Sequence, residues 1–344
     1  MTSKCNRVMF VTNSLSGGGA ERATNILVNA LVDAGDQVSL VAINHGPKDL
    51  IEPKCQVFEL NRKWQGGFLT VLRAYIGLQM ALWKWKPDYL VLNCDIPEFL
   101  GSLTIGKHKL IVVEHSTSPW INRIQLGKLT RKILAARNTK WVTVSDHLTI
   151  WGTQSEPEIS ICNAVILPTT CRNTSNGRIK RLNYIGRLSQ EKQPAWALEI
   201  AKQTKLPIRI FGEGLLKLEL QEYAAQHKIE SDFAGFVANP WIFFDEGDLL
   251  IVPSSFEGDG LVLVEALSNQ IPLIANDIPD LRRFKLEDIN YAATIEGFSK
   301  FIVENSEMIE KFLPDKSKAN QILQERDPAK VSKKWISFLN SLAE

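Results

Sequence analysis

Ten short runs of branched and aromatic residues recur along the chain, separated by longer stretches with helical spacing. This alternation constrains the fold more than any other feature, because strand–helix–strand order is what a parallel sheet with crossover helices requires. The first five runs are RVMFVTN (7–13), QVSLVAI (37–43), DYLVLN (88–93), KLIVVE (109–114) and KWVTVS (140–145). The second five are RLNYIG (181–186), PIRIFG (207–212), DFAGF (232–236), DLLIVP (248–253) and PLIAN (272–276). Between the first two runs, Ile26, Leu27, Ala30 and Leu31 share one helical face, and Gly35 closes that helix. Further helices are expected near 194–204, 214–228 and 260–269.

Residues 167–178, LPTTCRNTSNGR, are polar and turn-rich and read as a linker. The expected fold is therefore α/β, with two Rossmann-like doubly wound domains facing a central cleft, over residues 1–170 and 178–327. An amphipathic helix at 328–344 would pack back on the first domain. Ligands gather where strand C-termini meet such a cleft.

A chain of 344 residues can hold two cores, and its 44% hydrophobic and 23% charged shares are those of an ordinary globular protein. FLTVLRAYIGLQMALWKWK (68–86) is the longest apolar stretch, but it contains Arg73, Lys84 and Lys86 and falls short of a membrane span; a mostly buried helix is expected. The first residues run directly into a strand pattern without a secretory signal. Five cysteines without a CxxC pair fit a reducing compartment, so the expected location is cytoplasmic. Residues 1–170 hold 18 Lys/Arg against 13 Asp/Glu, and the remainder 22 against 25. A basic half suggests an anionic surface or substrate, yet the excess is too small for nucleic acid.

Four stretches could carry chemistry. NSLSGGGAER (13–22) places three glycines between the first strand and helix, where backbone N–H groups can approach a phosphate. Counting G-x-G-x-x-G from Gly17 lands on Arg22, and the second strand ends without an acid, so a dinucleotide fingerprint fails. Tight packing is the ordinary alternative. In YIGRLSQEKQP (184–194), Arg187 offers a planar fork and Lys192 a point charge, a pair suited to a diphosphate; a solvated turn with Glu191 is the alternative. His115 ends an apolar strand in VVEHSTSPW (112–120), where a histidine is more often a structural hydrogen-bonder than a catalyst. In SSFEGDGLVLVEAL (254–267), Glu257 sits in a turn and Glu265 early in a helix, with Gly258 and Gly260 freeing backbone N–H groups between them. Carboxylates accept hydrogen bonds from vicinal hydroxyls of a sugar or ribose. The alternative is a helix-terminal acid and a surface glutamate.

Together these stretches resemble the family 4 glycosyltransferases, retaining enzymes of the glycosyltransferase-B fold. SGGGAER is similar to that family's glycine loop, EHS to its histidine strand end and GRLSQEK to its diphosphate-binding pair. FGEG (211–214), AGFVANPW (234–241) and the E-x7-E of Glu257 and Glu265 follow in the same order. The last but one resembles the branch that builds bacterial surface polysaccharides and lipopolysaccharide from UDP-sugars. By resemblance, Arg187 and Lys192 would hold the donor diphosphate, Glu265 the ribose, and Glu257 with the N–H groups of Gly258, Asp259 and Gly260 the transferred sugar. His115 would lie beside that sugar, and Gly18 and Gly19 would touch the donor phosphate or the acceptor. Asp259 departs from the family, which usually has Phe or a similarly bulky residue there.

The resemblance implies transfer of a hexose or N-acetylhexosamine from a nucleotide-sugar to a lipid-linked saccharide, with neither cofactor nor metal. It also brings a peripheral position at the inner membrane face into view. RIQLGKLTRKILAARNTK (123–140) carries Arg123, Lys128, Arg131, Lys132, Arg137 and Lys140 and no acid, and reads either as a docking stretch or as an ordinary surface helix flanking the cleft. Competing readings are an epimerase or phosphorylase of the same fold, and a non-catalytic nucleotide-binding subunit.

Overall fold

The computed structural model describes residues 6–15, 18–45, 51–63, 67–117, 119–121, 123–166 and 177–343. The linker expected at 167–178 lies outside them up to residue 176, as do Ser16 and Gly17 of the glycine loop. The chain divides into two compact units, one of Met1–Ile166 with Arg326–Glu344 and one of Leu167–Glu325.

The first unit runs β1 (Arg7–Thr12), α1 (Gly19–Asp33), β2 (Gln37–Asn44), β3 (Gln56–Arg62), α2 (Phe68–Trp85) and β4 (Tyr89–Asn93). It continues through α3 (Asp95–Ser102), β5 (Lys109–Glu114), α4 (Ile124–Ala136), β6 (Lys140–Thr143) and β7 (Ile159–Ser160). The seven strands form one parallel sheet in the order β3-β2-β1-β4-β5-β6-β7. β4 is buried along its whole length, as expected of a parallel strand covered on both faces.

The second unit runs β8 (Arg181–Ile185), α5 (Pro194–Thr204), β9 (Ile208–Phe211), α6 (Lys217–Gln226), β10 (Ser231–Gly235) and β11 (Asp248–Val252). α7 (Leu261–Ser268), β12 (Leu273–Asn276), α8 (Pro279–Arg282), β13 (Tyr291–Ala292), α9 (Ile295–Glu304) and α10 (Lys316–Glu325) follow. Its parallel sheet has the order β10-β9-β8-β11-β12-β13. The chain then returns to the first unit as α11 (Pro328–Ser341), capped by the Asp327 carboxylate. There Trp335 meets Phe10 edge to face at 6.0 Å, and the Tyr89 hydroxyl donates to the Leu339 carbonyl. Each large apolar side chain so buried contributes about 1.5–3 kcal/mol.

Two expectations need correction. Only one face of α2 is buried, through Ala74, Leu78, Ala81 and Leu82, while Phe68, Leu72, Ile76, Met80 and Trp83 are exposed. Its high apolar content exceeds what a single sheet face can cover. The basic stretch at 123–140 also does not present all its cations. Arg131 is fully buried, with Nε and Nη2 donating to the two Glu98 oxygens at 2.9 and 2.8 Å and Nη1 to Glu114 Oε2 at 2.5 Å. Arg137 donates to the carbonyls of Gly101 and Ser102, and Lys140 pairs with Glu158.

The Arg131 network joins α3, β5 and α4, and the Trp120 indole and the Trp151 carbonyl complete it. One guanidinium faces two carboxylates, so burial outweighs attraction and pushes Glu114 up to about 7 from its ordinary 4.5. Arg131→Met should cost about 3–5 kcal/mol in denaturant unfolding, because it strands two buried carboxylates. Because folding raises the Glu114 value, its favourable contribution is complete below about 4.5 and is lost as pH rises through about 7. Unfolding midpoints between pH about 5 and about 8 should therefore fall less for Glu114→Gln than for the parent chain.

Candidate functional site

In the second sheet, β8, β9 and β10 succeed one another in one direction and β11, β12 and β13 in the other. The order reverses between β8 and β11, where flanking crossovers diverge and leave the strand C-termini open. The loop after β8 carries Arg187 and Lys192, and the turn after β11 carries Glu257, Gly258, Asp259 and Gly260. The reversal brings the two loops together: Lys192 Nζ donates to Glu257 Oε1 at 2.6 Å. The Lys192 side chain is 27% exposed and that of Glu257 10%, so this pair is shielded but still reachable.

Backbone contacts hold both loops. The hydroxyl of the buried Tyr184 shares its one proton between the carbonyls of Arg187 and Lys192, at 3.0 and 3.3 Å, and burial together with the Glu257 and Glu191 charges pushes its pKa upward. The Ser255 N–H donates to the Glu191 carbonyl at 2.9 Å, tying one loop to the other. Asp280 Oδ2 accepts the Glu257 N–H at 2.8 Å, and Arg283 Nη2 reaches Asp259 Oδ1 at 2.8 Å. Asp259 is thus buried and ion-paired with a residue just beyond α8. Asp280 and Arg283 belong to no sequence motif, and only the fold links them to the turn.

Glu265 lies within α7 and accepts the Trp241 indole N–H at 3.2 Å. Arg187 shares its loop with Lys192, but its guanidinium is exposed and forms no ion pair with a described residue.

The remaining motifs of this unit serve the β8 loop. The Gly212 N–H donates to the Gly235 carbonyl, the Gly186 N–H to the Phe211 carbonyl and the Leu188 N–H to the Glu213 carbonyl. A Cβ on Gly212, where φ is +150°, would lie 1.8 Å from the Gly186 carbonyl oxygen. FGEG and AGF therefore act as a backbone stack that supports the loop with the cations.

The first sheet reverses between β1 and β4. Gly18 is the extended residue before α1, and Gly19 begins that helix. Asn93 ends β4, and His115 follows β5 with Nε2 2.9 Å from Asn93 Oδ1. With that amide oxygen as acceptor, Nε2 is the donor of the pair. The next residue after Asn93, Cys94, takes φ +73° and ψ 176°, a conformation that costs a non-glycine residue about 1–3 kcal/mol. Sequence reasoning missed Asn93 because one asparagine at a strand end carries no pattern.

Among the described residues no group of three His, Cys, Asp or Glu side chains is placed to hold a metal ion. What the second unit can do is offer cations and a carboxylate to a polar, anionic ligand at one sheet reversal.

Gly212→Ala should destabilise the chain by well over about 1 kcal/mol in denaturant unfolding. Gly67→Ala, where a Cβ meets nothing within 4 Å, should change stability by less than about 0.5 kcal/mol. Equal effects would remove the supporting role of FGEG.

Residues 172–322 match the family model described as "Glycosyl transferases group 1". A GalNAc-alpha-(1->4)-GalNAc-alpha-(1->3)-diNAcBac-PP-undecaprenol alpha-1,4-N-acetyl-D-galactosaminyltransferase of Campylobacter jejuni is 23% identical, covering 97% of this chain and 98% of that protein. An uncharacterized glycosyltransferase of Haemophilus influenzae is 21% identical over 96% and 98% of the two chains. Among solved structures, Anabaena HepE in complex with UDP and glucose superposes with a TM-score of 0.75 at 15% identity, covering 98% and 100% of the chains. WaaG, a glycosyltransferase involved in lipopolysaccharide biosynthesis, superposes at 0.65 and 14% identity over 96% and 99%. The second unit thus carries the glycosyl transferases group 1 match, and the whole chain shares the two-domain B fold of these glycosyltransferases.

Proposed function

We propose that the enzyme transfers a hexose or N-acetylhexosamine with retention from a UDP-sugar to a lipid-linked saccharide in bacterial surface-glycan synthesis. The observation that carries this reading is the Lys192–Glu257 pair, formed where the second sheet reverses. Support for the donor comes from the UDP bound to HepE, and for the acceptor from the undecaprenol-linked substrate in the name of the Campylobacter relative.

In this mechanism Lys192 and Arg187 hold the donor diphosphate. The bond from the anomeric carbon to the diphosphate oxygen breaks with its electron pair going to the diphosphate. The two cations stabilise that developing charge, a task a divalent ion performs in other sugar transferases. The acceptor hydroxyl attacks the oxocarbenium-like carbon from the face the diphosphate leaves, and its proton passes to the departing diphosphate oxygen. Glu257 and the N–H groups of Gly258, Asp259 and Gly260 would bind the hydroxyls of the transferred sugar, and Glu265 the ribose. His115 would contact that sugar, and Gly18 and Gly19 a phosphate or the acceptor. Asp259 would act on donor choice through its hold on Arg283, which sets the shape of the turn.

Lys192→Ala should lower turnover of the preferred UDP-sugar by about 10²–10³-fold. Lys192→Arg, which keeps the charge, should recover part of that loss. Near-full turnover in Lys192→Ala would refute the assignment. An epimerase would instead interconvert UDP-sugars without releasing UDP, so UDP release that depends on acceptor separates the two reactions.

A further inference from the structure

α2 carries an apolar face that no described residue of the first unit covers. Phe68, Leu69, Met80 and Trp83 are 79%, 68%, 60% and 64% exposed, and Leu72 and Ile76 lie between them. At 3.6 residues per turn these six side chains fall within an arc of roughly 120°, a continuous stripe along the helix. Arg73 and Lys84 border one edge of it. On the other edge, Gln79 exchanges hydrogen bonds with both backbone groups of Ile105, and the Tyr75 hydroxyl donates to the Leu103 carbonyl. These bonds set two more exposed apolar residues, Leu103 and Ile105, beside the stripe. At the C-terminal end of α2 a groove of about 740 Å³ is lined by Trp83, Lys86, Ile105, Lys107 and Lys109, with one acid, Asp88, among them.

The charge around this surface is mainly positive, with Asp88 at the groove as its acid. Residues 60–87 and 103–109 contain no Asp or Glu. Arg73, Lys84, Lys86 and Lys107 form no ion pair with any described residue. No helix among the described residues is long and apolar enough to cross a membrane. A helix with an apolar face, cations at its border and a Trp at one end lies in the plane of a bilayer interface instead. A second copy of the chain, docked about a two-fold axis, would set these cations against themselves, whereas anionic headgroups neutralise them.

We propose that α2 and the Leu103–Lys109 loop form a surface that docks on an anionic lipid bilayer, with the stripe among the acyl chains and the lysine-lined groove at a headgroup. This deepens the lipid-linked acceptor reading and rests on it for its purpose, but it is tested without nucleotide or acceptor.

The full chain is floated with vesicles of phosphatidylglycerol and phosphatidylcholine, and with vesicles of phosphatidylcholine alone. The parent should bind the anionic vesicles and bind far less to the neutral ones. Lys84→Glu with Lys86→Glu should lower the partition constant by at least about tenfold, since each surface cation contributes about 1 kcal/mol. Ile76→Asn with Met80→Asn should lower it by about tenfold or more through lost apolar burial. Melting temperatures should not change, because all four side chains are exposed. A parent that stays unbound to anionic vesicles, or variants that bind as the parent does, would overturn the proposal. So would light scattering that shows a dimer of the parent which Ile76→Asn/Met80→Asn converts to monomer.

Discussion

Reversal of strand order within a parallel sheet is the constraint on which the rest of this structure depends. A doubly wound sheet starts in its middle and grows outward both ways, so at one seam adjacent strands send their crossovers in opposite directions. Loops at that seam have no helix between them. In the second unit the seam lies between β8 and β11, and residues 65 positions apart, Lys192 and Glu257, meet there as an ion pair. In the first unit it lies between β1 and β4, beside Gly18, Asn93 and His115. Topology alone gathers these polar residues at both seams.

The pair at the second seam is neither a surface salt bridge nor a buried one. Exposed pairs contribute little, and deeply buried ones seldom repay their desolvation. A half-shielded lysine held by one carboxylate can exchange that partner for a more highly charged anion without large reorganisation. Such preorganisation needs rigid loops. Tyr184 ties the loop of Lys192 through one hydroxyl shared by two carbonyls, the backbone stack through Gly235 and Gly212 supports it from the side, and Asp280 with Arg283 clamps the facing turn. The glycines of this unit serve geometry, holding the loop that carries the cations beside the turn that carries the carboxylates.

Much of this was legible in the chain. Continuous apolar runs gave away the central strands, because burial on both faces leaves no alternation to confuse. Edge strands were harder: β3, QVFELNR, is half exposed, and β13 has only two residues. The motif residues were visible because loops after parallel strands carry unusual glycines and charges, yet their partners were not. Asp280, Arg283, Tyr184 and Asn93 acquire meaning only through contacts distant in sequence. Arg131 misled for the opposite reason. It sits in a basic stretch, and nothing local shows that Glu98 and Glu114 surround it. α2 misled through its composition, since apolar content alone does not tell a core-facing stripe from an outward one.

The two units share a construction but differ in what their seams display. The first offers a helix N-terminus preceded by glycine and a histidine oriented by an asparagine; the second offers fixed charge. The most direct measurement of this account is amide hydrogen exchange on the full chain with and without UDP. It predicts slowed exchange in 186–193 and in 254–265, the two loops that meet at the β8–β11 seam. Unchanged exchange in both segments at saturating UDP, or protection confined to the first unit, would contradict it.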